Sequence, residues 1–325
     1  MVFIKTFEQI SKKDILLAGG KGASLGEMAR ARIPVPPGFV VLASAFAAFL
    51  EHSDLDEEIQ AVLDRLNFKD IDAVEHASEK IRDIINDAPV PDEIQKETLE
   101  VFQKLHAPLV AVRSSATAED SSIASWAGEL ESYLNTTQKN LLENVKRCWS
   151  SLFTPRALVY RFEKKLMDQQ VHVAVVVQKM VQSDVSGVIF TVHPVTKDRN
   201  QMIIEAAWGL GEAIVQGMVT PDSYVIDKKK CQIIDINTTE QKKMIVRGPR
   251  GTKEVPVPRG KQEKQKLSGS QILKLADIAL RIEKHYKFPQ DIEWAHEKGS
   301  PPHSRVSVGG GGKFWVVQSR PITTL

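Results

Sequence analysis

The sequence predicts an α+β protein of two lobes, with a helical cap in its N-terminal part. Three observations predict it. The chain has 325 residues, more than one ordinary core organises. Between residues 45 and 105 apolar side chains recur at three- and four-residue spacing, the period of a helix. From Leu109 onward, short runs rich in branched residues alternate with polar breaks, the pattern of strands. The first lobe is expected over residues 1–190, with the helical insert at about 45–105, and the second over residues 191–325.

In chain order, Ala45–Leu50, Leu55–Leu66, Val74–Ile85 and Ile94–Leu105 carry the helical pattern, and Pro89 and Pro91 punctuate the last two. Leu109–Val112 is an apolar run ending at Arg113 and predicts a buried strand. Leu141–Phe153 and Arg156–Lys165 predict helices; Val171–Met180, Gly187–Val192 and Met202–Ala206 predict strands. Tyr224–Val257 suggests short strands turning at Gly248-Pro249. Ser268–Tyr286 is the clearest helix: Ser268 and Gln271 can form a capping box ahead of the stripe Ile272, Leu275, Ala276, Ala279, Ile282 and Tyr286.

At the C-terminal end, Asp291-Ile292-Glu293-Trp294-Ala295 alternates with period two, so Asp291 and Glu293 share one face. Lys313–Ser319 predicts a second strand, with Gln318 and Arg320 on one face. If the two pair as a hairpin, two carboxylates meet an amide and a guanidinium across one surface. The intervening His296–Gly312, with Pro301-Pro302 and four successive glycines, predicts a flexible loop without a site.

Composition excludes several classes. Hydrophobic residues at 42% and charged residues at 26% are ordinary for a globular enzyme, against disorder or a fibre. Cys148 and Cys231 stand far apart and outside any Cys/His cluster, which argues against zinc and for a reducing compartment. The start leads straight into polar sequence, and the longest apolar stretch, Gly38–Leu50, is too short to cross a bilayer, so a cytoplasmic protein is expected. Lys228–Lys266 holds twelve Lys/Arg against four Asp/Glu. No aromatic lies between Tyr224 and Tyr286 to stack a base, so a solvated hairpin is expected rather than a nucleic-acid surface.

Four segments can carry chemistry. Gly19-Gly20-Lys21-Gly22 allows a backbone to approach a phosphate, with Lys21 as a mobile charge or, alternatively, a solvated lysine on a tight turn; its spacing is not that of a Walker loop. In Val112–Asp120, Arg113 at a strand end can fork onto phosphate oxygens, and Ser114, Ser115 and Thr117 add short donors. In Val177–Val181, a strand edge can hydrogen-bond the polar edge of a heterocycle, with Met180 packed on the ring, or simply be core. Glu205–Glu212 contains glycines at a strand-to-helix turn, without the dinucleotide fingerprint.

In this order, Gly19–Met28, Ile33–Phe39, Val112–Asp120, Ser186–Thr191, Trp208–Glu212, Asp291–Ala295 and Gln318–Thr323 closely resemble the ATP-binding domain of phosphoenolpyruvate synthases, pyruvate phosphate dikinases and rifampicin phosphotransferases. The resemblance covers essentially the whole chain. It implies an ATP-grasp-like fold, two lobes clasping a nucleotide, with ATP and Mg²⁺ as cofactors. It implies that Lys21, Arg113 and Arg320 serve the phosphates as catalytic cations. Gln178 and Met180 would lie at the adenine, and Gly128 would sit in the loop covering the phosphates. Glu293 and Gln318 would hold Mg²⁺, with Asp291 near the same face.

The chain departs from the family pattern at Gly128-Glu129-Leu130-Glu131-Ser132-Tyr133, where two acids replace a Gly-Gln-Gln-like loop. The family passes a phosphoryl group through a histidine preceded by Ser or Thr on a separate domain, and none of the eight histidines here follows either residue. A phosphohistidine domain and an acceptor-binding domain are therefore expected as partners outside this sequence. The implied function is the Mg-ATP-binding half of a dikinase-type phosphotransferase. The alternatives are a rifampicin phosphotransferase-type domain and a catalytically degenerate nucleotide-binding module.

Overall fold

The computed structural model describes residues 2–117, 131–166, 172–248, 251–299 and 312–323. The chain divides into two compact units, Met1–Glu27 with Pro37–Met180, and Met28–Pro36 with Val181–Leu325. The expected boundary at 190 moves to 180. The reason is strand pairing: residues 185–190 form a strand hydrogen-bonded to strands of the second unit on both sides.

In the first unit, β1 (Ile4–Thr6), β2 (Gly38–Val41), β3 (Val110–Ala116), β4 (Ser132–Thr136) and β5 (Val173–Lys179) form one antiparallel sheet in the order β1-β2-β5-β3-β4. Pleating divides each strand between two faces. Phe39, Val41, Val110, Val112, Val173, Val175 and Val177 point into a core shared with α2 (Ala43–His52), α3 (Leu55–Leu63), α4 (Ile71–Asp87), α5 (Asp92–Lys104), α6 (Leu141–Ser150) and α7 (Pro155–Glu163). Trp149 of α6 anchors that layer, stacked on Phe46 at 5.6 Å and Phe49 at 5.0 Å. The caps follow local chemistry: Asp70 accepts from the Ala73 amide, and Thr154 accepts from the Ala157 amide with Pro155 beginning the helix. The helical periodicity thus located α2 to α5 correctly. It did not reveal α1 (Ile15–Arg30), because the glycines at 19, 20 and 22 suggested a turn. Nor did it reveal β4, which is only five residues long.

In the second unit, β6 (Val185–Phe190), β7 (Gln201–Trp208), β8 (Asp222–Asp227), β9 (Gln232–Asn237), β12 (Gln290–Glu297) and β13 (Lys313–Pro321) form an antiparallel sheet in the order β13-β12-β6-β7-β8-β9. A separate hairpin joins β10 (Lys243–Gly248) to β11 (Gly251–Pro256). The short α8 (Glu212–Val215) follows β7, and α9 (Gly269–Tyr286) begins with the expected Ser268–Gln271 capping box. The α9 stripe Ile272, Leu275, Ala276, Ala279 and Ile282 is fully buried.

An ion pair with both side chains fully buried braces this unit: Lys266 Nζ lies 2.7 Å from Asp222 Oδ1. Around it, Asp222 accepts from the Tyr224 hydroxyl, the Thr239 amide and the Lys266 amide, and Lys266 also donates to the Thr239 carbonyl. A charge pair removed from water persists only when its remaining valences are met, and here they are met by β8 and both flanks of the β10–β11 hairpin. The pair also dismantles the basic run of residues 228–266. Lys266 is internal, and Lys228 bonds the Thr191 carbonyl and Glu283. Lys243 pairs with Glu254 and Lys261 lies over the Trp208 ring, so these cations do not form one exposed stripe. Lys266→Met leaves Asp222 buried without its partner and is expected to cost roughly 3–5 kcal/mol of stability, measured as a lower denaturant midpoint for the unfolding of this unit.

Candidate nucleotide and metal site

The first unit brings Arg113 and Gln178 to one face of its sheet, opposite the helical core, and packs the helix that carries Lys21 against that face. Arg113 pairs with Val176 and Ala111 with Gln178, so Arg113 and Gln178 point the same way. Ser115 lies two residues beyond Arg113 on that face, and α1 packs there. The helix is kinked at Gly19, whose φ of 67° and ψ of 172° are open essentially to glycine alone. A Cβ on Gly19 would lie 2.2 Å from Ser115 Oγ and 2.3 Å from the Ser115 carbonyl oxygen. Lys21, expected on a tight turn, therefore stands in the first turn of the helix that resumes after the kink, half-buried.

The short hydroxyls of the 112–120 segment do not present themselves to a ligand. The fully buried Ser115 Oγ donates to the Ala18 carbonyl at 2.9 Å and accepts from the Gly22 amide at 3.2 Å. Ser114 Oγ bonds the Glu131 carbonyl and Ser151 Oγ, and Thr117 bonds the His172 carbonyl. Their contribution is to fix the backbone around Arg113, the half-buried residue in an otherwise buried strand.

Of the two readings of Val177–Val181 the structure gives the core one: Gln178 lies on a central strand, with β2 on one side and β3 on the other, and Met180 follows its end. The Lys179 amide donates to the Pro37 carbonyl and the Met180 amide to the Leu109 carbonyl, at 2.9 and 3.0 Å. Those two backbone donors are committed to the sheet. The side chain of Gln178 is different: it is 3% exposed, and its Nε2 finds no partner among the described residues. A buried amide donor without an acceptor is costly unless something supplies one.

Gly128 and Glu129 lie outside the described residues. Glu131 is described, and its charge is answered internally. Arg82 reaches its carboxylate at 3.2 Å, and the Tyr133 hydroxyl donates to it. Burial, followed by the Glu131 hydrogen bond and charge, pushes the Tyr133 hydroxyl well above its ordinary pKa. The positive face of Arg147 packs 4.3 Å from the Tyr133 ring. The negative charge expected from Glu131 over a polyphosphate is thus turned into the fold.

In the second unit the predicted hairpin forms with the predicted facing. Asp291 stands opposite Arg320 and Glu293 opposite Gln318. After Glu293 the register slips by one residue, a bulge that leaves Val317 extra. Arg320 grips Asp291 with two donors on one oxygen, Nε at 2.8 Å and a terminal nitrogen at 2.7 Å. Burial raises the Asp291 pKa, Arg320 opposes that rise, and Glu293 adds to it. Sequence reasoning missed Glu205 here. It pairs with Val188, which pairs with Glu293, so β7 sends a third carboxylate to the same face. Its pKa is raised by burial first and then by Asp291. Its place after Ile203-Ile204 in an apolar strand was the available signal. Among the described residues no group of three or more His, Cys, Asp or Glu is arranged to hold a metal; Glu293 and Gln318 offer one carboxylate and one amide.

The turn after β7 is held equally firmly. Gly209, at φ 93°, leaves a Cβ 2.4 Å from the Ile245 carbonyl oxygen. Its own carbonyl accepts from Ser183 and Ser186, while Gln241 brackets the Trp208 amide and carbonyl. His296 is buried with Nδ1 2.8 Å from Asp184, a structural place for a histidine. Among the described residues no helix is long and apolar enough to cross a membrane.

Comparison with known proteins gives a coherent result. The family described as pyruvate phosphate dikinase, AMP/ATP-binding domain, matches residues 15–325. A probable phosphoenolpyruvate synthase of Methanocaldococcus jannaschii is 45% identical over 100% of this chain and 27% of its own length. The phosphoenolpyruvate synthase of Pyrococcus furiosus is 40% identical over 99% of this chain and 44% of its own. The rifampicin phosphotransferase of Bacillus subtilis is 39% identical over 98% of this chain and 35% of its own. The chain therefore spans less than half the length of the curated relatives it matches.

Proposed function

The chain belongs to the pyruvate phosphate dikinase AMP/ATP-binding domain family, and on that premise we propose that it binds Mg-ATP as the nucleotide half of a dikinase-type phosphotransferase. The observation that carries this reading is the face of the first unit's sheet that holds Arg113 and the buried Gln178 amide, unpartnered among the described residues, with the helix that bears Lys21 packed against it. Lys21 and Arg113 supply positive charge to a polyphosphate; phosphoryl transfer depends mainly on such positioning and charge. The Gln178 amide is matched by an acceptor nitrogen on adenine, and Met180 packs against the ring. Because the backbone amides of Lys179 and Met180 are occupied, the side chain rather than the strand supplies that donor.

In the second unit, Glu293 and Gln318 fit Mg²⁺, which takes one or two protein oxygens and completes its shell with phosphate oxygens and water. When bound, the ion neutralises charge on the phosphates. Asp291 is better suited to aiming Arg320 at the terminal phosphates than to ligating metal, since one of its oxygens carries both guanidinium bonds. In a longer protein, ATP, water and a histidine on a separate domain would yield AMP, inorganic phosphate and a phosphohistidine, the histidine taking one phosphoryl group and water the other, so the nucleophile is not required on this chain. The acceptor beyond that histidine, pyruvate or rifampicin, is chosen elsewhere: relatives carrying either name match this chain at 45% and 39% identity. The internal pairing of Glu131 removes one motive for a degenerate module.

Isothermal titration of the folded chain is expected to show Mg-dependent ATP binding that Lys21→Ala and Arg113→Ala each weaken by roughly tenfold or more, the loss of a charge-assisted hydrogen bond. Unchanged affinity in both variants would sink the reading. In Glu293→Gln the gain in ATP affinity on adding Mg²⁺ is expected to shrink, while affinity measured in chelator stays as in the parent. Mixed with a separately supplied histidine domain and labelled ATP, the chain is expected to label that domain; an unlabelled histidine domain, despite ATP binding, leaves a nucleotide-binding module only.

A further inference from the structure

In an uninterrupted α-helix the Gly22 amide would donate to the Ala18 carbonyl, four residues earlier. Here that bond is replaced. The Ser115 hydroxyl stands between the two groups, donating to the Ala18 carbonyl at 2.9 Å and accepting from the Gly22 amide at 3.2 Å. A side chain inserted into the helical ladder is a recognised cause of a kink, and the kink lies within the spanned turn, at Gly19. Gly19 itself abuts the Ser115 backbone so closely that no side chain fits. Between the two hydroxyl contacts lie Gly19, Gly20 and Lys21.

We propose that Ser115 is a positioning residue for nucleotide binding: its hydroxyl splints the opened turn of α1 and so sets where Lys21 meets the phosphates. This rests on the reading of Lys21 as a phosphate contact. Several features make the splint specific. Ser115 is fully buried, so both bonds are made away from competing water. It lies on β3 two residues from Arg113, so one strand places both cations, Arg113 directly and Lys21 through the hydroxyl. Serine also fits the chemistry: its hydroxyl both donates and accepts through a single oxygen without the methyl group of threonine. Its neighbours in the motif, Ser114 and Thr117, bond other carbonyls and make no such bridge.

The test is a double-mutant cycle on the full chain with ATP and with adenosine as probes, at saturating Mg²⁺. Ser115→Ala is expected to weaken ATP binding on the order of tenfold, as lost orientation of one charged contact would, and to leave adenosine affinity unchanged. The double variant Lys21→Ala/Ser115→Ala is expected to bind ATP no more weakly than Lys21→Ala alone. Ser115→Ala with parental ATP affinity, equal losses for ATP and adenosine, or multiplicative losses in the double variant would each overturn the proposal. Parental ATP affinity in Lys21→Ala overturns the phosphate reading itself, and this inference with it. Should Ser115→Ala fold poorly, Ser115→Cys retains the shape with a weaker donor and acceptor, and the same ATP-to-adenosine comparison decides.

Discussion

The close approach of α1 to β3 is the constraint on which the first unit's candidate site depends. Gly19 touches the Ser115 backbone, and the Ser115 hydroxyl occupies the place of a helical hydrogen bond. Without that contact, a helix of ordinary geometry would carry Lys21 on an unbroken ladder, with nothing to fix its relation to Arg113. With it, the helix that bears Lys21 packs on the face that holds Arg113 and the buried Gln178 amide, while the opposite face of the sheet is filled by Val110, Val112, Val173, Val175 and Val177 against the helical layer. Both faces bury apolar side chains, Val40 and Val176 lying on the second, but only that one also holds Arg113 and the Gln178 amide, whose desolvation needs a partner.

The second unit solves a different problem, that of crowding like charges on a sheet face. Asp291 and Glu293 come from β12 and Glu205 from β7, with β6 between the two strands, and burial raises the pKa of Glu205 and Asp291. Arg320 relieves Asp291 from directly across the hairpin. What remains is an acidic surface with the Gln318 amide in register with Glu293. On the opposite face of the same strand Ile292 and Trp294 are buried, and Trp294 lies 5.7 Å from Phe314 between ring centroids. Farther along the sheet, the Asp222–Lys266 pair ties the β10–β11 hairpin to β8, and the hairpin in turn closes the Trp208–Gly209 turn.

Much of this was legible in advance, and for physical reasons. Period-two alternation over Asp291–Ala295 and Lys313–Ser319 fixes facing, because the side-chain period of a strand leaves no other choice, and the hairpin formed as that alternation requires. The α4 and α9 stripes were equally readable, since a long amphipathic repeat admits one buried side. The ordered motif set identified the family, which the match over residues 15–325 bears out. The mixed helix-and-sheet architecture expected from it is the one observed.

Local chemistry by itself determined which residues were polar, which segments were regular and which faces they shared. Tertiary structure decided what each polar group was for. The serines of the 112–120 segment were donors by composition, yet only packing showed that they bond backbone carbonyls instead of facing outward. Glu131 was a charge by composition, and only the arrival of Arg82 from α4, 49 residues away in the chain, turned it inward. Glycines at 19, 20 and 22 suggested a turn, because propensity cannot anticipate a hydroxyl from a distant strand mending a broken helix. The division at residue 180 rather than 190 came from strand partners remote in sequence. A hydrogen bond's donor is written in the chain, but its acceptor is chosen by the fold, because sequence period constrains direction and not which distant group arrives there.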